Sequence, residues 1–483
     1  MKMKKILFSL LLSCLFACSV NREQPQQPIK PNILFIAVDD LRPEFGAYGA
    51  KHIHSPNLDK LASQSMVFNR AYCNIPVCGS SRASLLSGLR PSLHRFPGNY
   101  DTYLSEDMPG VTSLPKHFKN NGYETISYGK IYHHADDDSL AWDNVWRPAP
   151  KNHSGWRDYQ TEENINLHQS ANSRGLPFEN AEVPDTAYYD GRIAEKTIAT
   201  LNQLKNQDSP FFLAVGFLKP HLPFNAPSKY WELYDRNEIA LPANYQRPET
   251  TPERAYHNFG ELRNYAQVPK KGPVSDEMAK ELIHGYYACV SYTDAQIGKV
   301  LQALEENGMA ENTIVILWGD HGWNLGDHQL WCKHCNFESS LHVPLMLKVP
   351  NETKGQRSNA IVEFIDIYPT LAELAGLSLP EHLEGESMVS LLRNGNRQKD
   401  YAIAKYYGGM TLIKDNWFYT EWIDEDINIE SRMLFDHSQD TLELNNLAES
   451  EAHQEQVQNL SDFLHGHWGF DFMEDFRNPE QVE

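Results

Sequence analysis

Acidic, basic and imidazole side chains recur directly after short apolar runs in this 483-residue chain, and that placement suggests chemistry. ILFIAV (33–38) ends in Asp39-Asp40. TISY (125–128) is followed by Gly129-Lys130 and, three residues on, His133. FFLAVGF (211–217) leads into Leu218-Lys219-Pro220-His221, and TIVILW (313–318) into Gly319-Asp320-His321. Short, non-alternating runs of β-branched and aromatic residues read as strands of a buried parallel sheet. Ligands of open α/β sheets bind outside the carboxyl ends of such strands. Four strand ends therefore aim acids, lysines and histidines at one place.

Asp39, Asp40 and Asp320 offer hard oxygen donors that suit Ca²⁺ or Mg²⁺, with His321 as a less usual fourth ligand. Asp39-Asp40 alone is more simply a loop cap; Asp320-His321 after another apolar strand argues for a cation. Lys130, Lys219, His133 and His221 each read individually as surface or loop residues. Together they make an anion-binding ring beside a cation, the arrangement a sulfate or phosphate ester needs. A separate stretch, VCGSSRASLLSG (77–88), sets Cys78, and Arg82 four residues on, at the mouth of a helical run. A catalytic thiol, a disulfide partner and a cysteine destined for modification all remain open. Lys333 closely follows the Asp320-His321 cluster, inside Cys332-Lys333-His334-Cys335. Without a second Cys-x-x-Cys this tetrad is a weak zinc or redox signal.

The elements that must position these residues are legible in outline. Helical patterns occupy 58–64, 114–120 and 275–306, and another begins at 84. The longest opens on Ser275 with Asp276 and Glu277 and closes at Asn307-Gly308. Alternating strands and helices argue an α/β domain with a mainly parallel sheet. Residues 136–184 and 225–272 fit no pattern and are read as the walls and lids of a pocket. After about residue 395 successive short strands and a closing helix at 454–465 suggest a small α+β subdomain with an antiparallel sheet. The expected division is 31–394 for the catalytic domain and 395–483 for this subdomain.

Residues 1–17 read as a secretory signal, with Lys2, Lys4 and Lys5 ahead of a short apolar stretch. Cys18, after Leu15-Phe16-Ala17, is placed as a lipidated residue would be, and 18–30 suit a tether. A bacterial cell-envelope, periplasmic lipoprotein is expected. Five cysteines follow, at 73, 78, 289, 332 and 335. An odd number in an exported chain leaves at least one unpaired. The net charge of −21 excludes a general nucleic-acid binder, so an anionic ligand needs a local basic pocket.

PNILFIAVDDLRP, VCGSSRASLLSGLRP, YGKIYHH, FFLAVGFLKPHLPF, WGDHGWNLGDHQLWCKH and HVPLMLKVP resemble, in order and spacing, stretches of the type I, formylglycine-dependent sulfatases. They resemble the iduronate-2-sulfatase branch more than others. FIDIYPTLAELAGL and LFDHSQDTLELNNLA are similar to that family's C-terminal half. The resemblance implies an alkaline-phosphatase-like α/β fold: a large, mainly parallel sheet flanked by helices, plus a smaller C-terminal α+β subdomain. It implies that a maturation enzyme oxidises Cys78 to formylglycine, whose hydrate attacks sulfur. The second hydroxyl then expels sulfate. Ser80 stands where the family motif has proline, a departure that bears on this conversion.

By the same resemblance Asp39, Asp40, Asp320 and His321 hold Ca²⁺. Arg82 positions the diol, Lys130 and Lys333 grip the sulfate oxygens, and His133 orients or deprotonates the diol. His221 protonates the leaving oxygen, and His134, Lys219, Trp323 and His334 contact substrate or pack the site. The implied substrate is a 2-O-sulfated uronate, saturated or 4,5-unsaturated, at the non-reducing end of a heparin or heparan sulfate oligosaccharide, with chondroitin and dermatan as alternative backbones. A sulfatase for another sulfated sugar, a phosphatase or phosphonate hydrolase of the same superfamily, and a non-catalytic glycan-binding lipoprotein are the other readings.

Overall fold

The structure, a computed structural model, describes residues 30–468 except 93–94, 99, 151–153, 171–173 and 424–427. The expected signal segment, Cys18 and most of the tether lie outside the described residues. Everything below concerns the unit that begins at Pro31.

Eight strands form the main sheet. Their order is Arg357–Glu363, Met66–Tyr72, His342–Lys348, Thr313–Gly319, Asn32–Val38, Phe211–Phe217, Glu124–Gly129, Asn144–Trp146. The four strands read from apolar runs are adjacent and parallel at the centre. Their side chains from Ile33 to Val38 and Phe211 to Val215 are buried on both faces, so the runs do not alternate. His342–Lys348 runs antiparallel to both neighbours and makes the sheet mixed. Two large cores result. One lies under the Asp276–Glu306 and Tyr189–Leu204 helices, the other under the Cys78–Ser87, Leu114–Asn120 and Ile367–Leu374 helices. Ser275 caps the longest helix by accepting from the Met278 amide.

The two unpatterned stretches carry elements of their own. Asn144–Trp146, Glu162–Gln169 and Phe178–Ala181 lie in the first; Ser228–Trp231 and Gly260–Arg263 lie in the second. They are too short for their periodicity to show in sequence.

Tyr401–Tyr406, Gly409–Lys414, Trp417–Ile423 and Ile429–Asp436 make the antiparallel sheet. Alternation is clean here. Ala402, Ala404, Ile413, Phe418 and Phe435 join the core on one face of the main sheet, while Ile403, Leu412, Tyr419 and Leu434 face Val457, Leu460 and Leu464 of the Gln454–Trp468 helix.

One point where this sheet meets the rest of the unit is polar. His437 Nε2 lies 3.3 Å from Glu443 Oε1, and its Nδ1 lies 3.6 Å from Glu338 Oε2. Burial lowers the His437 pKa, but the two carboxylates outweigh it and leave it raised; burial pushes Glu338 up to about 7. Both groups hold more protons folded than unfolded near neutrality, so their contribution to stability falls as pH rises through that range. Glu443, held low, titrates below this window. The thermal midpoint is expected to drop between about pH 6 and about pH 8, and to drop less in His437→Gln. A wild-type midpoint flat over that interval contradicts this.

Candidate active site

The Cys78–Ser87 helix is buried along its whole length and ends on Gly88 in the left-handed region (φ 71°). It begins six residues earlier than its apolar run suggests, because Gly79, Ser80 and Ser81 have weak helix propensity. Cys78 is thus the first helical residue, where free amide groups favour an anion. Ser80, at the position of the family's proline, is tied down. Its Oγ accepts from the Gly98 amide at 3.1 Å and lies 3.0 Å from Thr102 Oγ1.

Asp39 and Asp40 are consecutive at a strand end, and an extended chain would point them apart. Asp40 takes a left-handed conformation (φ 59°), which a short polar side chain tolerates. Both carboxylates thereby come within 4.8 Å of Cys78 Sγ and a His221 ring nitrogen. The Asp40 amide donates to Asp320 Oδ1 at 2.9 Å, and His321 Nε2 lies 3.1 Å from Cys78 Sγ and 3.4 Å from Asp40 Oδ1. The four residues read as metal ligands therefore surround the cysteine.

Lys130 reaches this centre because two strand ends nearly touch. A Cβ on Gly216 would run into the Lys130 carbonyl, and one on Gly129 would meet the Gly216 carbonyl. Lys130 Nζ donates to Asp39 Oδ2 at 2.6 Å. Arg82, fully buried, donates through Nε to Asp320 Oδ2 at 2.9 Å and through a terminal nitrogen to Asp39 Oδ1 at 3.0 Å. Its other nitrogen donates to the carbonyls of Lys130 and Ile131. Arg82 thus braces two strand ends against the helix.

Lys333, also fully buried, lies between Asp40 Oδ1 (3.2 Å) and Glu261 Oε2 (2.9 Å), over the Trp323 ring at 5.0 Å. His221 Nε2 lies 3.1 Å from Glu261 Oε1, and its Nδ1 lies 2.6 Å from the Leu222 carbonyl. Burial and Lys333 push the His221 pKa down, against Asp39 and Glu261. Both ring nitrogens nevertheless face acceptors, and only the protonated ring satisfies both.

Four carboxylates, Asp39, Asp40, Asp320 and Glu261, thus meet three permanent cations. Burial raises Asp39, but Lys130, His221 and Arg82 hold it well below the carboxylate range. Asp40 is the opposite. Burial pushes it well above that range, with Cys78 and Asp39 reinforcing the shift against Lys333. A carboxyl destabilised in this way, among hard oxygen donors, fits a divalent cation. Burial also pushes the Cys78 thiol up to about 12, against Lys130 and Lys333.

The centre opens into a cavity of about 830 Å³ lined by Lys130, His133, His221 and His334, among others. Both long stretches wall it, as expected: Arg147, Trp156, Arg157 and Arg174 come from the first, His257, Asn258 and Glu261 from the second. Burial and Lys130 push the His133 pKa down to about 2, so its ring is neutral. Three residues read as substrate contacts do not line this cavity. Lys219 Nζ is buried and donates to the carbonyls of His221 and Pro223, holding the loop that carries His221. His134 stacks on Tyr103 at 3.9 Å. Trp323 is buried beside Lys333. The cysteines at 73, 78, 289, 332 and 335 are all free and buried, and Cys332 and Cys335 belong to none of the metal-capable clusters among the described residues. Cys335 Sγ instead lies 3.0 Å from Ser340 Oγ.

Sequence reasoning missed Glu261, Arg147, Arg157 and Arg174. All lie in the stretches without periodicity, where no spacing distinguishes a pocket residue from a solvated one.

The sulfatase family profile matches residues 31–377, and a profile described as N-sulphoglucosamine sulphohydrolase, C-terminal, matches residues 326–467. Iduronate 2-sulfatase of Mus musculus is 34% identical over 438 residues, covering 82% of this chain and 78% of that protein. A sulfatase of Formosa agariphila is 33% identical, covering 87% and 85%. A solved 2-O GAG sulfatase superposes with a TM-score of 0.70 at 22% identity, over 92% of this chain and 94% of its own. A phosphonate monoester hydrolase from Silicibacter pomeroyi gives 0.74 at 21%, over 90% and 95%. The last two show the fold alone. With Cys78 at a helix start among converging carboxylates and lysines, and with a family match over most of its length, the chain belongs to the sulfatases, sulfuric ester hydrolases of the alkaline-phosphatase-like fold.

Proposed function

We propose that the protein hydrolyses the 2-O-sulfate ester of a uronic acid, saturated or 4,5-unsaturated, at the non-reducing end of a heparin or heparan sulfate oligosaccharide. The observation that carries this is the placement of Cys78. It opens a buried helix, 3.1 Å from His321 Nε2 and 3.9 Å from Asp40 Oδ1, and the Asp39 and Asp40 carboxylates beside it are in contact with Lys130 and His221, which line a walled cavity with cationic side chains. The likeness to proteins named iduronate 2-sulfatase supports the 2-O position.

A thiol pushed up to about 12 is not a nucleophile at neutral pH, which favours a modified residue 78. As formylglycine hydrate, residue 78 would supply one hydroxyl to attack sulfur and a second to release sulfate. A Ca²⁺ held by Asp39, Asp40, Asp320 and His321 would offset the charge of the ester oxygens.

The chain's own groups do the rest. Lys130, at the cavity wall, and Lys333, beneath it, bring positive charge to the sulfate. Arg82 fixes Asp39 and Asp320. Neutral His133 accepts a proton from the nucleophile, and protonated His221, held by Glu261, donates one to the leaving oxygen. The walls favour an exo-acting enzyme on short fragments, which a negatively charged surface repels less than long polyanions.

The test is product chromatography on disaccharides sulfated only at uronate O2, at glucosamine O6 or at glucosamine N. Release from uronate O2 alone is expected. Release from O6 or N with none from O2 overturns the positional reading. The maturation enzyme and a lipid anchor at Cys18, with residence in the bacterial envelope, belong to the same proposal. Cys18→Ala is expected to move the protein from the membrane to the soluble fraction.

A further inference from the structure

The outer wall of the cavity holds cationic groups that the centre does not use. Contacts follow one another from Asp40 to the half-exposed wall. His221 Nε2 lies 3.8 Å from Asp40 Oδ2, and the half-exposed Trp156 meets the His221 ring edge-on at 5.3 Å. The Arg157 guanidinium stands over the Trp156 ring at 4.5 Å. Beyond it Arg174 stands over Tyr265 at 5.6 Å. Burial raises the Tyr265 phenol to about 12, and Arg157 and Arg174 both pull it back, so both positive charges act on this phenol.

The wall is fixed by backbone. The Arg174 amide donates to the Asn264 carbonyl at 3.3 Å, and the Ala266 amide donates to the Arg174 carbonyl at 3.1 Å. The Arg157 carbonyl accepts from Asn225 Nδ2 at 2.8 Å. Arg157 Nε is buried without a hydrogen-bond partner among the described residues. Only Asp101 and Glu261 among the described lining residues are acidic, and Glu261 is already engaged by Lys333 and His221. A partly buried guanidinium in a cavity wall with few acidic groups, in a chain of net charge −21, is placed to receive an anion.

We propose that Arg157 and Arg174 form a second anion subsite, which takes a sulfate group on the sugar adjoining the one that is desulfated, with Trp156 as that sugar's platform. This rests on the uronate reading above and assigns these residues a part in specificity rather than in chemistry. Trp156 lies between His221 and Arg157, 5.3 Å from the ring of the first and 4.5 Å from the guanidinium of the second, so an anion on Arg157 and a group at His221 would share the Trp156 ring between them.

The experiment compares kcat and KM on three disaccharides that all carry the uronate 2-O-sulfate. Their glucosamine is N-acetylated, N-sulfated or O6-sulfated. Wild-type enzyme is expected to favour one sulfated glucosamine over the N-acetylated form by about 10–100-fold in kcat/KM, chiefly through KM. The preferred form identifies which sulfate is read. Arg157→Ala and Arg174→Ala are expected to remove most of that preference, with a much smaller loss on the N-acetylated disaccharide and an unchanged thermal midpoint. Arg157→Lys is expected to restore part of it. Turnover of all three at equal rates, or equal losses on all three in the variants, overturns the subsite and leaves the uronate reading standing. No turnover of any of the three by metal-loaded wild-type enzyme sinks both.

Discussion

Cys78→Ala is expected to abolish turnover, a loss of at least about 10⁴-fold in kcat, with the fold intact. The side chain projects into the polar centre, next to His321 Nε2 and Asp40 Oδ1 rather than into an apolar core. Truncation to alanine keeps its Cβ at the helix start, so the cost in stability is expected to stay near about 1 kcal/mol. Cys78→Ser is the sharper variant. Serine supplies one hydroxyl, and in a host whose maturation enzyme oxidises thiols only it stays an alcohol and lacks the second hydroxyl that releases sulfate. It is expected to be as inactive as alanine over many turnovers. Full multiple-turnover activity in Cys78→Ser, measured by sulfate release on protein whose mass shows an unoxidised serine, would show that an ordinary hydroxyl suffices, and the formylglycine assignment would fall.

Removing the divalent cation is expected to lower kcat by about 10²–10³-fold, with Ca²⁺ restoring it. Three aspartates converge here, and the Asp40 carboxyl is pushed well above its usual range by burial, Cys78 and Asp39. A bound cation would relieve that destabilisation. Asp40→Asn is the variant of choice, because it keeps the side-chain shape while removing a ligand charge. Asp320→Ala confounds the result. It strips the buried Arg82 of one of its two carboxylate partners, a change expected to cost about 3–5 kcal/mol of stability. Elemental analysis of Asp40→Asn is expected to find the metal depleted, and added Ca²⁺ is expected not to rescue activity. Full activity in exhaustively chelated wild-type protein, with no metal detected, contradicts the assignment.

The centre of the site was legible in sequence because strand ends are legible. Buried parallel strands must be apolar on both faces, so Asp39-Asp40, Lys130, His221 and Asp320-His321 stand out as polar breaks after such runs. The flanking Met66–Tyr72, His342–Lys348 and Arg357–Glu363 strands were not read from their pattern. Asn69, Arg70 and Asn359 interrupt two of them, and His342 and Lys348 bound the third. The cavity wall was legible only as a region. Arg157 and Glu261 take their meaning from distant partners, Trp156–His221 and Lys333, and nothing local to either residue announces those contacts. Lys219 shows the reverse failure. It sits at a strand end like the catalytic candidates, but its ammonium turns back to two carbonyls of its own loop. Sequence position gave its location and not its direction.

The central claim is that residue 78 works as an oxidised cysteine, despite Ser80 at the place of the family's proline. Ser80 has two hydrogen-bonding partners in the folded protein, so the fold accommodates the departure. The direct measurement is the mass of the tryptic peptide spanning residues 71–82, taken from enzyme whose specific activity is known and produced in a host with a maturation enzyme. An aldehyde in place of the Cys78 thiol, in a fraction that tracks activity from one preparation to the next, is the predicted result. A fully alkylatable thiol at Cys78 in active enzyme would contradict it.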